Sequence, residues 1–248
     1  MASQDRFGYK WKNAPEIPPE QYIQFRRWLD LDDFSIFKNK KILDAGCGNS
    51  TNAFIVLQNG AKKVVAVDAF ENTLKISRAN LKCFGNRADV KFLDLEKADN
   101  YPGKYDIVLC IGVLHHLENQ RKVLEKLLST KRKNGKLFVW IYGKYNHVGI
   151  INAMDTLRKM TSVFPMSLNR VLARFISIPS FFLVKIIPGK YFKQLSGFRY
   201  TQLNTIILDQ MLPSVATYYT EPQVKKLIRG LKLKYKKDRN EVGWLIYN

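Results

Sequence analysis

Cysteine is scarce: Cys47, Cys83 and Cys110 are the three in 248 residues, and they stand apart in apolar or helical stretches. Such spacing makes neither a disulfide framework nor a metal cluster, so no metal site is expected and the expected setting is reducing and cytoplasmic. Acidic residues are about half as common as basic ones, 21 against 41, for a formal net charge of +20. Long apolar runs are missing too. Phe175 to Ile187 is interrupted by Pro179 and Lys185 and falls short of the ~20 residues that a spanning helix needs. Its character suits the surface of a membrane, not its interior. The opening MASQDRFGYK has no apolar run behind its charges and does not read as a signal peptide. What the chain does have is 46% apolar and 12% aromatic residues, enough for a packed core and too much for general disorder.

The positive charge is uneven, at +1 for residues 1–40, +8 for 41–147 and +11 for 148–248. This balance favours an anionic partner: nucleic acid, a phosphorylated small molecule or an anionic membrane surface. A solvated, lysine-rich surface explains it equally well, because most lysines are scattered. The short runs Lys131–Lys133 and Lys236-Lys237 fall where turns are expected.

Between residues 40 and 143, short β-branched runs alternate with helical patterns. KKILDAG (40–46), KKVVAVDA (62–69), VKFLDL (90–95), KYDIVLCIG (104–112) and KLFVWIYG (136–143) read as strands. They are continuously apolar, as strands are when helices cover both faces of a parallel sheet. Helices are expected from Ser50 or Thr51 to Gly60, from Glu71 to Phe84, and from Glu118 to Thr130, with cap residues before and glycines after. The alternation predicts a doubly wound α/β sheet. Near the C-terminus, Thr220 and Gln223 form a capping-box pattern, and KLKYKK with EVGWLIY reads as an antiparallel hairpin.

The first strand runs into LDAGCGNST (Leu43 to Thr51). Gly46 and Gly48 allow a tight turn and close approach to a ligand at the next helix's N-terminus. The loop is not a nicotinamide fingerprint, since Thr51 replaces the third glycine, and no Gly-Lys-Ser/Thr makes it a phosphate loop. Asp44 stands instead beside the turn, where a carboxylate suits a cationic ligand and disfavours a pyrophosphate. Asp68 ends the second strand, in position to accept both hydroxyls of a ribose. Asp94 ends the third, in reach of an exocyclic adenine amine, with Glu96 close enough to share that role. Together these describe a nucleoside-shaped ligand carrying positive charge.

LDAGCGNS, VVAVD, FLDLE and YDIVLCIGVLHHL, in that order, resemble the successive motifs of class I S-adenosylmethionine-dependent methyltransferases. The likeness covers residues 40–143 and the closing helix and hairpin. The FGYKW start and the Asp209–Pro222 stretch also resemble a prokaryotic, small-molecule branch of these enzymes. The resemblance implies a Rossmann-like, seven-stranded, mostly parallel sheet with an antiparallel last strand and a helical cap inserted after strand five. It implies a lid or helix over 1–39, a cofactor-binding core over 40–143, the cap over 144–219, and the core's closing elements over 220–248. It further implies that Asp44, Gly46 and Gly48 lie along the methionine part of S-adenosylmethionine, with Cys47 among the cofactor-binding residues, that Asp68 holds the ribose, that Asp94 with Leu95 flanks the adenine, and that Ile111 packs against the cofactor. Ser50 departs from the family pattern, standing where many members have a third glycine.

Methyl transfer from a sulfonium asks the protein mainly to align the acceptor, plus a base when the acceptor is oxygen or carbon. His115 and His116 follow strand four at the methyl end, and His115 is the candidate base; helix capping and packing are their bland alternative. Tyr142, ending strand five, is a candidate for orienting the acceptor or an ordinary core tyrosine. Tyr9 and Trp11 are candidates for a lid. CIGVLHH (Cys110 to His116) stands where enzymes acting on exocyclic base amines carry an Asn/Asp-Pro-Pro-aromatic run, which argues against that class. Residues 148–208 hold eight Lys/Arg against one acid, Asp155, interleaved with phenylalanines. The expected acceptor is therefore a small or lipid-linked molecule, anionic in character, with peripheral membrane contact through the cap. Two alternatives stay open: an RNA methyltransferase and a non-catalytic S-adenosylmethionine-binding protein. An NAD-dependent oxidoreductase is disfavoured by Thr51 and Asp44.

Overall fold

The computed structural model describes residues 17, 19–145, 148–161, 163–211 and 215–248; the proposed lid residues Tyr9 and Trp11 lie outside them. Five parallel strands form the centre of the molecule: β1 (Lys41–Ala45), β2 (Lys63–Asp68), β3 (Ala88–Phe92), β4 (Tyr105–Ile111) and β5 (Lys131–Tyr142). The closing strands β6 (Lys234–Lys237) and β7 (Gly243–Tyr247) complete a seven-stranded sheet of order β3-β2-β1-β4-β5-β7-β6, with β7 antiparallel to both β5 and β6. This is the sheet that the apolar runs predict. Its strand order reverses between β1 and β4, and ligands of such sheets bind at the carboxyl ends beside that reversal.

Because the strands are covered on both sides, each face of the sheet has its own apolar core. One contains Leu43, Val65, Val108, Val139 and Ile246; the other contains Ile42, Val64, Ile107, Phe138 and Leu245. Helices α2 (Thr51–Gln58), α3 (Glu71–Leu81) and α4 (Gln120–Thr130) connect the strands, and α1 (Pro19–Trp28) packs on the second face, where Trp28 stacks on Trp140 at 4.4 Å.

Four helices follow β5: α5 (Val148–Thr161), α6 (Met166–Leu183), α7 (Lys190–Leu195) and α8 (Tyr200–Met211). They enclose a third apolar cluster including Ala173, Phe192, Leu203 and Met211. Then α9 (Glu221–Ile228) opens on the Thr220/Gln223 capping box and leads into the β6–β7 hairpin.

Three local expectations need correction. Residues 131–133 are not a turn: α4 passes directly into β5, where Lys131 pairs with Tyr105 before a register shift at Tyr105/Ile107. The third strand stops at Phe92, so Asp94 sits in the loop beyond it. Ser50 does not cap α2; the cap comes from Asn49, whose Oδ1 accepts from the Thr51 amide at 3.2 Å and the Thr51 hydroxyl at 2.7 Å.

Candidate functional site

The loop after β1 is shaped by backbone conformations that β-carbons oppose. Gly46 has φ +77°, and a β-carbon there would lie 2.5 Å from Val113 Cγ2. Gly48 and Ser50 are also left-handed, at φ 55° and 64°. Ser50 thus adopts the glycine-like conformation at the position where the sequence departs from the family pattern, and its hydroxyl bonds that of Ser77. The amides of Gly46 and Cys47 donate to the Val67 carbonyl at 2.8 and 2.9 Å, pinning the loop across the end of β2.

Two carboxylates meet behind this loop. Asp44 is 1% exposed, and neither of its oxygens has a hydrogen-bond partner among the described residues. Burial drives its pKa up to about 7, the nearby Ala53 N–H dipole opposes this in part without closing a hydrogen bond, and the negative charge of Asp68 adds to the rise. Asp68 accepts from the Gly48 amide at 3.0 Å and the Phe70 amide at 3.2 Å, so it braces both the loop and the start of α3; burial raises its pKa as well. An unpartnered buried carboxylate is costly. A ligand bringing positive charge would offset that cost. The donor set therefore fits the sulfonium- and ammonium-bearing S-adenosylmethionine.

Of the residues expected to flank the adenine or pack against the cofactor, Leu95 and Ile111 are buried, and Tyr101 donates to the Leu95 carbonyl at 2.5 Å. Asp94 holds its own turn, accepting from the amides of Glu96 and Lys97 at 2.9 and 3.2 Å. Glu96 faces the other way, accepting from the amides of Glu118 and Asn119. Cys47 and Cys110 are buried, with thiol pKa values raised by burial, and behave as small apolar groups.

The ends of β4 and β5 carry the other candidates. His115 is fully buried, and neither ring nitrogen has a hydrogen-bond partner among the described residues. Its ring lies 3.8 Å from that of Tyr142 and 4.2 Å from that of His116. Burial and the nearby charge of Arg158 keep both imidazoles neutral, with the His116 pKa pushed down to about 4. His116 Nδ1 donates to the Val215 carbonyl at 2.8 Å, which leaves the lone pair on Nε2.

One network here joins Tyr142 and the Asp209–Pro222 stretch to Arg158, a residue that no sequence motif singles out. Arg158 of α5 is 2% exposed. Its guanidinium donates to Tyr218 Oη at 3.1 Å, the Gln210 carbonyl at 3.0 Å and Asp155 Oδ1 at 3.0 Å. Tyr218 donates to Gln210 Oε1 at 3.0 Å, and Gln210 Nε2 donates to Tyr142 Oη at 3.1 Å. Donors thus point one way, from Arg158 to Tyr142. Tyr218 also stacks on Tyr142 at 5.1 Å. Nothing in the local pattern of Arg158, Gln210 or Tyr218 announces this, because the contacts span 52 and 60 residues for Arg158 and 68 for Gln210.

A family model described as a methyltransferase domain matches residues 36–164, just over half of the chain. Similar curated proteins include a ubiquinone biosynthesis O-methyltransferase of Idiomarina loihiensis (30% identical, covering 40% of this chain and 41% of that one) and a tRNA U34 carboxymethyltransferase of Campylobacter fetus (27%, covering 52% and 48%). The chain thus spans less than half the length of these two relatives. Among solved structures, the magnesium protoporphyrin IX methyltransferase of Synechocystis PCC 6803 with bound SAH shares the fold across 98% of this chain and 92% of that one, at 15% identity and a TM-score of 0.54.

Proposed function

Because the chain belongs to the methyltransferase-domain family, we propose that it transfers a methyl group from S-adenosylmethionine to a small or lipid-linked acceptor. The observation that carries this reading is Asp44, a buried carboxylate without a partner behind a glycine loop. Asp44 faces the cationic end of the cofactor, Asp68 accepts from the ribose hydroxyls while bracing Gly48, and Leu95 and Ile111 pack against the adenine, with Asp94 at its edge. Bound there, the cofactor supplies an electrophilic methyl on a good leaving group.

The chain's remaining task is to hold the acceptor in line, ~3 Å from that methyl. Tyr142, fixed through Gln210, Tyr218 and Arg158, orients it. His115, neutral and without a hydrogen bond at either nitrogen among the described residues, takes its proton. Full burial of His115 means that the acceptor reaches it by displacing Tyr142 or the 215–219 segment, whose Thr217 amide bonds the His115 carbonyl. Neutral imidazole persists across the physiological range, so turnover should show no inflection near the ordinary histidine value of ~6.5.

An RNA acceptor is the second reading, favoured by the net charge of +20. Incubation with radiolabelled methyl donor and separate metabolite, lipid and RNA extracts distinguishes the two. Label entering metabolite or lipid, insensitive to salt, supports the proposal. Label entering RNA, with activity falling steeply as salt rises, overturns the acceptor class in favour of RNA. No label in any extract, from protein that binds the donor, overturns turnover itself.

A further inference from the structure

Helix α6 (Met166–Leu183) carries large apolar residues on its outer face as well as on the side that packs the cap. Its inner face carries Asn169, Ala173 and Ser177, small or polar and fully buried. Polar contacts fix that orientation: Asn169 Nδ2 donates to the Thr161 carbonyl at 3.1 Å, and Asn204 Nδ2 of α8 donates to Ser177 Oγ at 2.9 Å. Leu172, Ile176 and Phe181 flank that face and pack on the third apolar cluster, and a second set of large apolar residues points outward. Leu168, Val171, Phe175, Ile178 and Phe182 recur every three or four residues, forming one stripe, and are 41–68% exposed. The stripe is ~21 Å long at the helical rise, and no helix among the described residues is long and apolar enough to cross a membrane.

The chain just past the stripe adds charge. A concavity of about 440 Å³ is lined by residues 184–190 with Lys193 and Ser196; Lys185 and Lys193 bring it positive charge, while Lys190 is paired with Glu241. Across residues 148–208 the sole acid, Asp155, is engaged by Arg158 and Lys159. An apolar stripe in a predominantly positive field suits a bilayer that is apolar within and anionic at its surface. Two copies of this face would bring like charges together, which disfavours self-association.

We infer that the outer face of α6 docks the protein onto anionic lipid bilayers, with Phe175 and Phe182 inserted at the interface and Lys185 and Lys193 receiving lipid phosphates. The inference is independent of the methyl-transfer reading, because docking needs neither cofactor nor turnover.

Sedimentation of the full chain with vesicles tests it. The protein should pellet with phosphatidylcholine–phosphatidylglycerol vesicles at least about tenfold more than with phosphatidylcholine alone, with the difference shrinking as salt rises. Phe175→Ser/Phe182→Ser should lose pelleting on both. Lys185→Gln/Lys193→Gln should reduce binding to anionic vesicles to that on neutral ones. Both variants change outward residues, so circular dichroism and thermal midpoint should match the parent. Failure to pellet with anionic vesicles overturns the inference, as does pelleting unaltered in both folded variants. A dimer that dissociates in the phenylalanine variant, without vesicle binding, assigns the stripe to a second copy and overturns it equally.

Discussion

The two halves of the proposed site are assembled by different means. In the half proposed for the cofactor, Asp44, Gly46, Gly48 and Asp68 lie within 25 residues of one another, on two adjacent strands and the loop after the first, held by backbone amides. In the half proposed for the acceptor, His115, Tyr142, Arg158, Gln210 and Tyr218 come from five separate places in the chain and meet through side chains. The charges differ as well. The first half holds two buried carboxylates within a strongly basic protein, whereas the second has a buried arginine and two neutral imidazoles.

Substitutions should separate the two halves, and the largest effect falls on the glycine loop. Gly46→Val collides with Val113 and forces φ +77° on a branched residue, so calorimetry should detect no S-adenosylmethionine binding. Retained affinity would break the assignment of that loop. Asp44→Asn should weaken binding by roughly tenfold to a hundredfold, the worth of a charge-assisted hydrogen bond.

The same Asp44→Asn change should raise the thermal midpoint of the ligand-free protein at pH 7. Asp44 has a folded pKa of about 7 against ~3.9 unfolded, so the folded state binds the extra proton and stability falls as pH rises between those values. The variant should lack that decline. His116 acts in the opposite sense: its folded value of about 4 lies below the unfolded ~6.5. Its contribution is present above the unfolded value and lost as pH falls toward 4, which thermal melts in acid should register as destabilisation.

In the other half, Arg158→Met removes the donor to Tyr218 and the Gln210 carbonyl. It should cost about 1–3 kcal/mol of stability and lower turnover while leaving the dissociation constant for the cofactor unchanged. A weakened cofactor affinity would show that the two halves are coupled. The smallest effect belongs to Ser50→Gly. It relaxes a left-handed serine at φ 64° and gives up the Ser77 bond, so the midpoint should move by less than the equivalent of ~1 kcal/mol.

The same division governs what could be read from the sequence. Five parallel strands and the closing hairpin were legible because apolar runs of strand length alternate with capped helical patterns. The tight turn at Gly46 and Gly48 was legible because positive φ favours glycine, and Asp44 and Asp68 stood out as carboxylates in apolar strands. The continuation of β5 back through Lys131–Lys133 was hidden, since charged residues at a strand's exposed end look like a turn. Asn49 as the cap of α2 was masked by the adjacent Ser50 and Thr51. Arg158 was one of eight basic residues in a helical stretch until the fold placed Tyr218 beside it.

Proton release on cofactor binding tests the central claim most directly. S-adenosylmethionine titrated calorimetrically into ligand-free protein at pH 6, in two buffers of different ionisation enthalpy, should release about one proton per site as the buried Asp44 carboxyl ionises against the cationic ligand. That release should vanish in Asp44→Asn. Binding with no proton released, or with the same release in the variant, would contradict the account.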